Sequence, residues 1–497
     1  GSLMLVRTVS MVPEKMVEES LDRPAFQAIA PDSSLWLNQL DRRWAEERGE
    51  ALTDEETIIP IGNRRFNTPI RYATSPVVIA AREDVARDLG WPDQAVGWED
   101  IQRQATANPD FKWNHPSTGH ASGLLATLAE FYAGAGLTRG LTPEDATAQS
   151  TIDYVRNVEA TVRFYGEGED VIVQRLAEEG RDFLDAFVTQ EQVVIAWNQA
   201  HPGNRLVALY PAEGTLWADH PLALLELGAP GETPVLDNQR RTYQAFTSYL
   251  MTPEVQKQFL DAGYRPADLD IQLNGAGSPF EASDAVDWRQ PQTTLQIPSA
   301  EVVEVVQNVW WYTKRPTNVY LVVDTSGSMD GVKLTRTQEA LQSFVEQMRG
   351  DRDQIGVISF STDVSELRSL QALDDAGRSE LSAAIDALRA TGETSLVDGV
   401  WEAYTKLQAI GDTEAINAIV VMTDGHENHS RHSLAELRRR WESEEAQGVP
   451  VVIFTIAFGD HADQKLLQRM AEIGDGQFRR ADETDIEELY KIISTYF

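Results

Sequence analysis

The segment Val319–Met329, VYLVVDTSGSM, constrains the fold of this 497-residue chain more than any other stretch. Its apolar run, Val319–Val323, spells a buried strand that delivers Asp324 to the strand's carboxyl end. In an open α/β sheet that edge is where ligands bind. The turn that follows presents oxygens from Asp324, Ser326 and Ser328, and Gly327 gives the backbone room to curl round a small ion. Hard cations such as Mg²⁺ take oxygen ligands near octahedral geometry and keep part of their water. An Asp-x-Ser-x-Ser loop supplies such ligands at low net charge and leaves positions on the ion open.

Ala418–Gly425, AIVVMTDG, repeats the pattern of an apolar strand that ends on a carboxylate, here Asp424. Between the two lies Thr391–Leu396, TGETSL, a Gly/Thr loop that offers the hydroxyl of Thr394. In this order the three elements resemble the metal-ion-dependent adhesion site of the von Willebrand factor type A domain, over roughly Thr317–Phe497. The resemblance implies a doubly wound, Rossmann-like parallel sheet. It makes Asp324, Ser326, Ser328, Thr394 and Asp424 the positions that hold Mg²⁺, Mn²⁺ or Ca²⁺. It also implies a protein partner that places a carboxylate on the ion. Glu393 stands where the family often has glycine, and it is expected to face solvent. His426, His429 and His432 sit in a polar segment with no neighbour to complete a zinc set, so a solvated loop is expected there.

The rest of this region alternates apolar strands with helical periodicity. Helices are expected over Lys333–Arg349, Leu381–Leu388, Val397–Leu407, Leu434–Glu445, Lys465–Ile473 and Ile486–Tyr496, and strands over Gln354–Phe360, Val449–Phe458 and Gln477–Arg480. The polar run Asp374–Ser379 reads as a turn.

The first 316 residues carry a different pattern. Short apolar strands are expected at Leu5–Val9, Pro76–Ala80, Val193–Trp197 and Leu206–Leu209, with helices between them, which again implies α/β layers. The loop Ser117–Gly123 precedes helix Leu124–Ala133 and brings hydroxyls and backbone N–H groups to a helix start. The succession SPVVIA at Ser75–Ala80, Gly97–Ile101, Ser117–Gly123, Gln190-Glu191, ALYPAEG at Ala208–Gly214, Asp219–Pro221 and Gly263–Pro266 resembles a bacterial extracellular solute-binding protein. That family is two-lobed and of the periplasmic-binding type, and the resemblance covers roughly Leu5–Pro316. It implies a small-molecule solute held in a cleft by Ser10, Ser75, Thr118, Ser122, Glu191, Tyr210 and Glu213, with Trp36, Trp98, Trp113, Trp197 and Trp217 as candidates for a stacking face. Family members begin with a strand and helix upstream of the strand that Leu5–Val9 matches; that unit is expected either to have been trimmed from this chain or to be lost or rearranged in this branch. The domain boundary is expected at 316/317.

Composition excludes several partners. A net charge of −35 repels nucleic acid and anionic membrane surfaces. There is no cysteine, so neither disulfides nor thiolate metal sites arise. No apolar run of about 18 residues spans a membrane, so attachment is expected only through a leader or anchor; Gly1-Ser2 reads as a cloning remnant, which leaves room for a native leader that was removed. No nucleophile–base constellation, HExxH or phosphate loop is present. The expectation is a non-enzymatic protein of the cell surface that joins a solute-binding module to a metal-dependent adhesion module. The alternative is an intracellular accessory subunit whose metal site docks an ATP-driven remodelling or chelatase-like partner; a leader peptide at the native 5′ end discriminates the two.

Overall fold

The computed structural model describes residues 5–21, 24–47, 65–166, 168–180, 183–226, 235–280, 285–444 and 448–497. The chain divides into two compact units, Gly1–Thr161 with Glu167–Trp310, and Val162–Gly166 with Trp311–Phe497.

The second unit is built on a six-stranded sheet. Its strands are β1 (Thr317–Asp324), β2 (Gln354–Phe360), β3 (Val364–Ala372), β4 (Ile416–Thr423), β5 (Val451–Phe458) and β6 (Phe478–Ala481), in the order β3-β2-β1-β4-β5-β6. All pairings are parallel except β2 with β3. Every residue of β1 and β4 is buried, as a strand covered on both faces requires. The helices are α1 (Val332–Gln347), α2 (Asp375–Asp386), α3 (Leu396–Ile410), α4 (Leu434–Glu444), α5 (Gln464–Ile473) and α6 (Ile486–Ser494). Leu396, Val400, Tyr404 and Leu407 of α3 join Val322 of β1 and Ile419 of β4 in one core. Tyr404 stacks on Trp441 of α4 at 4.0 Å between ring centres. Each fully buried Leu or Val in such a core contributes about 1.5–3 kcal/mol relative to exposure.

Two local expectations fail here for identifiable reasons. The polar run Asp374–Ser379 is not a turn but the start of α2: the carboxylate of Asp374 accepts from Gly377 N at 2.8 Å, an N-cap. The antiparallel strand β3 escapes the sequence reading because it is an edge strand, largely solvated and charged at Glu366 and Arg368. The five residues Val162–Gly166 complete this unit. Arg315 N donates to Tyr165 OH at 2.9 Å, Arg315 Nη1 donates to Val162 O at 3.0 Å, and Phe164 stacks on Tyr496 at 6.0 Å.

In the first unit the spine is the ten-residue strand Ala73–Arg82. It pairs antiparallel with Ala186–Gln190 on one side and Leu206–Leu209 on the other, and its first half also meets Trp217–Ala218 and Arg265–Pro266. A second sheet joins Ala28–Ile29, Pro221–Leu224 and Ile70–Arg71. Helix Ala121–Ala135 is buried continuously from Ala121 to Tyr132, so its apolar character runs all round. Val193–Trp197 is not a strand; it lies within helix Glu191–Ala200, where a short apolar run buries Val194, Ile195 and Trp197 at helical spacing. Leu5–Val9 is not a strand either. Leu5 and Val9 are 67% and 79% exposed, and no strand pairs with them among the described residues.

Candidate metal centre

The strand order turns at β1, which has β2 on one side and β4 on the other. Ligand sites in open α/β sheets form at such a switch point, beyond the strands' carboxyl ends. The register sets Val323 of β1 opposite Met422 of β4, so the next residues, Asp324 and Thr423, lie side by side. Thr423 Oγ1 donates to Asp324 Oδ2, and Ser326 N donates to Asp324 Oδ1 at 2.7 Å. Ser326 Oγ lies 3.0 Å from Ser328 Oγ, and Ser328 Oγ donates to Asp424 Oδ1 at 2.6 Å. The backbone of the third loop is held to the first: Gly327 N donates to Gly392 O at 3.0 Å and Thr391 N to Thr325 O at 2.7 Å. A Cβ added to Gly425 would sit 3.4 Å from Thr394 Oγ1 and 3.5 Å from Ser328 Oγ, which places both hydroxyls beside one point. All five sequence-predicted positions therefore converge.

The donor set is two carboxylates and three hydroxyls, with no imidazole among them. Those are the ligands a hard divalent ion takes, and too few to complete its shell without water. Burial pushes the Asp324 carboxyl above its ordinary range; hydrogen bonds from Thr423 and Ser326 draw it back, and the Asp424 charge raises it again. The Lys333 ammonium pairs with Asp424 Oδ2. Thr423 and Lys333 were not singled out from sequence. Thr423 had a signal, since it immediately precedes Asp424 at the end of β4. Lys333 had a weaker one: it is one of eight lysines in the chain, on the first turn of the helix after the Ser-Gly-Ser turn.

The segment 425–433 anchors the third loop. Asn428 Oδ1 accepts from Thr394 N at 2.9 Å, and Glu427 Oε2 accepts from Val397 N at 3.0 Å at the start of α3. Glu393 is exposed, as is His429. His426 is exposed and lies 3.6 Å from Asp463. His432 is not simply solvated: its ring lies flat on Trp401 at 4.0 Å, and its Nδ1 is 2.7 Å from Asp398 Oδ1.

Several of the seven cleft candidates of the first unit are already bonded to other residues of that unit. Ser10 is exposed in a segment without a strand before it, so the reading of it as a cleft loop is corrected. Ser75 Oγ accepts from Gln192 N at 3.2 Å and caps helix Glu191–Ala200. Glu191 is buried in a two-bond ion pair with Arg265, at 2.8 and 2.6 Å, and accepts from Tyr210 OH at 2.5 Å. Glu213 accepts from Trp98 N at 3.1 Å at the start of another helix. Trp36, Trp98, Trp113 and Trp197 are core residues. Thr118 and Ser122 are buried, and Ser122 neighbours Glu169. Glu169 in turn acts on Asp32, whose carboxyl burial and then Glu169 push up to about 7. The Asp32 carbonyl accepts from His220 N at 3.0 Å, and His220 adopts φ +37°, a left-handed conformation rare for such a side chain. Its ring stands 5.1 Å from Tyr264 and 6.2 Å from Tyr72. The sequence placed His220 in the segment Asp219–Pro221 but did not join it to Asp32 or to Glu169, which begins helix Glu169–Glu179, because the three are far apart in the chain.

A family model for bacterial extracellular solute-binding proteins matches residues 14–265, just over half the chain, and one for the von Willebrand factor type A domain matches residues 318–492. The Escherichia coli (strain K12) protein YfbK is 25% identical over 289 residues, 56% of this chain and 47% of its own. Pig (Sus scrofa) inter-alpha-trypsin inhibitor heavy chain H4 is 28% identical over 235 residues, 46% of this chain and 23% of its own. The chain thus spans less than half the length of these curated relatives. Among solved structures, a von Willebrand factor type A protein from Catenulispora acidiphila matches 37% of this chain and 42% of its own at 19% identity and a TM-score of 0.33. The chain belongs to the bacterial extracellular solute-binding proteins and carries, fused behind that module, a von Willebrand factor type A domain.

Proposed function

We propose that this chain is a non-enzymatic surface protein whose C-terminal module grips a protein partner through a divalent ion. The observation that carries the reading is the convergence of Asp324, Ser326, Ser328, Thr394 and Asp424 at the switch point of the sheet. Those residues would hold Mg²⁺ or a similar ion, which when bound supplies positive charge for an incoming Asp or Glu side chain. The protein's own part is to fix the hydroxyls and carboxylates in place through Thr423, Asn428 and the Gly327–Gly392 backbone contact. The membership of the N-terminal module in an extracellular family supports a location outside the cytoplasmic membrane, and that module is proposed to receive a small solute. No helix of the described residues is long and apolar enough to cross a membrane.

The test is calorimetry with Mg²⁺ and Mn²⁺ on the full chain and on Asp324→Ala, followed by capture of surface partners with and without EDTA. Binding heat that vanishes in Asp324→Ala, with capture lost under EDTA, is expected. Capture that survives both chelation and Asp424→Ala would overturn the adhesion reading.

A further inference from the structure

The first unit contains a buried constellation that neither module's site uses. His115 follows strand Trp113–Asn114, Glu130 projects from helix Ala121–Ala135, and Glu159 ends helix Gln149–Glu159. All three side chains are fully buried, and one possible ligand atom from each lies within 4.8 Å of the others. Neither oxygen of Glu130 has a hydrogen-bond partner among the described residues. A buried carboxylate left in that state is costly, and more so if charged. Chains retain such a group when something offsets it.

The neighbours point to what that is. His115 Nδ1 lies 2.7 Å from Pro116 O. A carbonyl only accepts, so Nδ1 carries the proton and, in the neutral ring, Nε2 presents its lone pair toward Glu130. That arrangement, with one ring nitrogen donating to a backbone carbonyl, is the usual support of a metal-ligating histidine. Glu159 Oε1 accepts from Trp310 Nε1 at 2.6 Å, and since indole only donates, this carboxylate is oriented as an acceptor.

The separation of His115 Nε2 from Glu130 Oε1 is 3.5 Å. That is long for an O–H···N or N–H···O hydrogen bond, whose usual range ends near 3.2 Å. Two bonds of about 2.0–2.2 Å at a tetrahedral centre put their ligand atoms about 3.3–3.6 Å apart. The spacing is thus that of two ligands on one ion. Charge agrees: Glu130 and Glu159 bring like charges together in a buried site, and a dication offsets that conflict.

We propose that His115, Glu130 and Glu159 bind a divalent transition-metal ion of the Zn²⁺ class inside the solute-binding module. An imidazole with two carboxylates favours such an ion over Mg²⁺ or Ca²⁺, and three protein ligands leave one position for water. Because the ligands are sealed from solvent, the ion enters as the module folds and exchanges slowly afterwards. This site is independent of the C-terminal cradle.

The experiment uses the full chain carrying Asp324→Ala, which removes a carboxylate of the C-terminal cradle. The chain is refolded with Zn²⁺, washed with EDTA under native conditions and assayed for metal by plasma mass spectrometry. Close to one Zn²⁺ per chain is expected, retained in native EDTA and released when guanidinium is added. Adding Glu130→Gln, which keeps the side-chain shape, is expected to lower the content at least tenfold while far-UV circular dichroism is unchanged. Equal metal in the two chains, or less than a tenth of an equivalent in the first, overturns the site. Should Glu130→Gln not fold, Co²⁺-refolded Asp324→Ala protein decides: visible absorption of tetrahedral strength supports the site, and a spectrum of octahedral weakness or none refutes it.

Discussion

Lys333 Nζ is paired with Asp424 Oδ2, the ammonium 30% exposed and the carboxylate buried. A cation tethered to the chain thus neutralises one of the two carboxylates that would face a divalent ion. The two cations compete for the same oxygen. Lys333→Met is expected to tighten Mg²⁺ or Mn²⁺ binding roughly fivefold, about 1 kcal/mol, a modest figure because the ammonium is partly solvated. Calorimetry on the two chains decides, and unchanged or weaker binding would mean the pair supports the site instead of opposing the ion.

Asp398 ties the segment 425–433 to α3. It accepts from Arg431 N at 2.9 Å and from His432 N at 3.0 Å. Partial burial works against its charge, but those hydrogen bonds and His432 outweigh it and hold the carboxyl below its ordinary 3.8. A depressed pKa contributes stability above the unfolded value and loses it as pH falls through the folded one. The difference in Tm between the parent and Asp398→Asn should therefore be present at pH 6–7 and shrink below about pH 4. A difference that grows on acidification would contradict the assignment.

Lys314 and Asp353 form an ion pair at 2.9 Å with both side chains 1% exposed. Asp353 also accepts from Thr317 N at 3.0 Å and Gly350 N at 3.1 Å, so it fixes the entry to β1. Asp353→Ala takes away the carboxylate and leaves the buried ammonium only the Arg315 and Phe497 oxygens as acceptors, which should cost up to about 3–5 kcal/mol. Urea unfolding measures this. The double variant Lys314→Met with Asp353→Leu should recover part of the loss; a cost below about 1 kcal/mol for Asp353→Ala would show that the charge is not isolated from water.

Burial and the charge of Glu169 raise the Asp32 carboxyl from 3.8 to about 7. A raised folded pKa gives stability that is complete below the unfolded value and lost as pH rises through the folded one. Asp32→Asn should flatten the fall of Tm between pH 5 and 8 and leave the variant the more stable chain at pH 8. Parallel Tm–pH curves for the two would refute the shift.

What the sequence disclosed follows a physical division. Strands β1 and β4 were legible because burial on both faces forces unbroken apolar runs, and their carboxyl-terminal aspartates then fell at the sheet edge by geometry alone. Thr394 was legible as a hydroxyl in a Gly/Thr loop. Edge strand β3 was not, because half its residues answer to solvent. In the first unit, Glu191, Tyr210 and Glu213 looked like ligand groups from their loops, yet Arg265 and the N–H of Trp98 occupy them. Such commitments depend on partners far away in sequence, which no local pattern reports. His115, Glu130 and Glu159 were silent for the same reason: they are far apart in the sequence, and only the fold brings them together.

Val162–Gly166 carry one more consequence. The type A unit is written in two places in the gene, some 145 codons apart. A clone opened at residue 317 would discard Arg315 together with the hydroxyl of Tyr165 and the carbonyl of Val162 that it bonds, and the ring of Phe164 that covers Tyr496. During evolution, recombination at the obvious seam would strand that pentapeptide in the wrong parent. A type A module moved without these five residues would leave Tyr496 without the ring of Phe164 beside it.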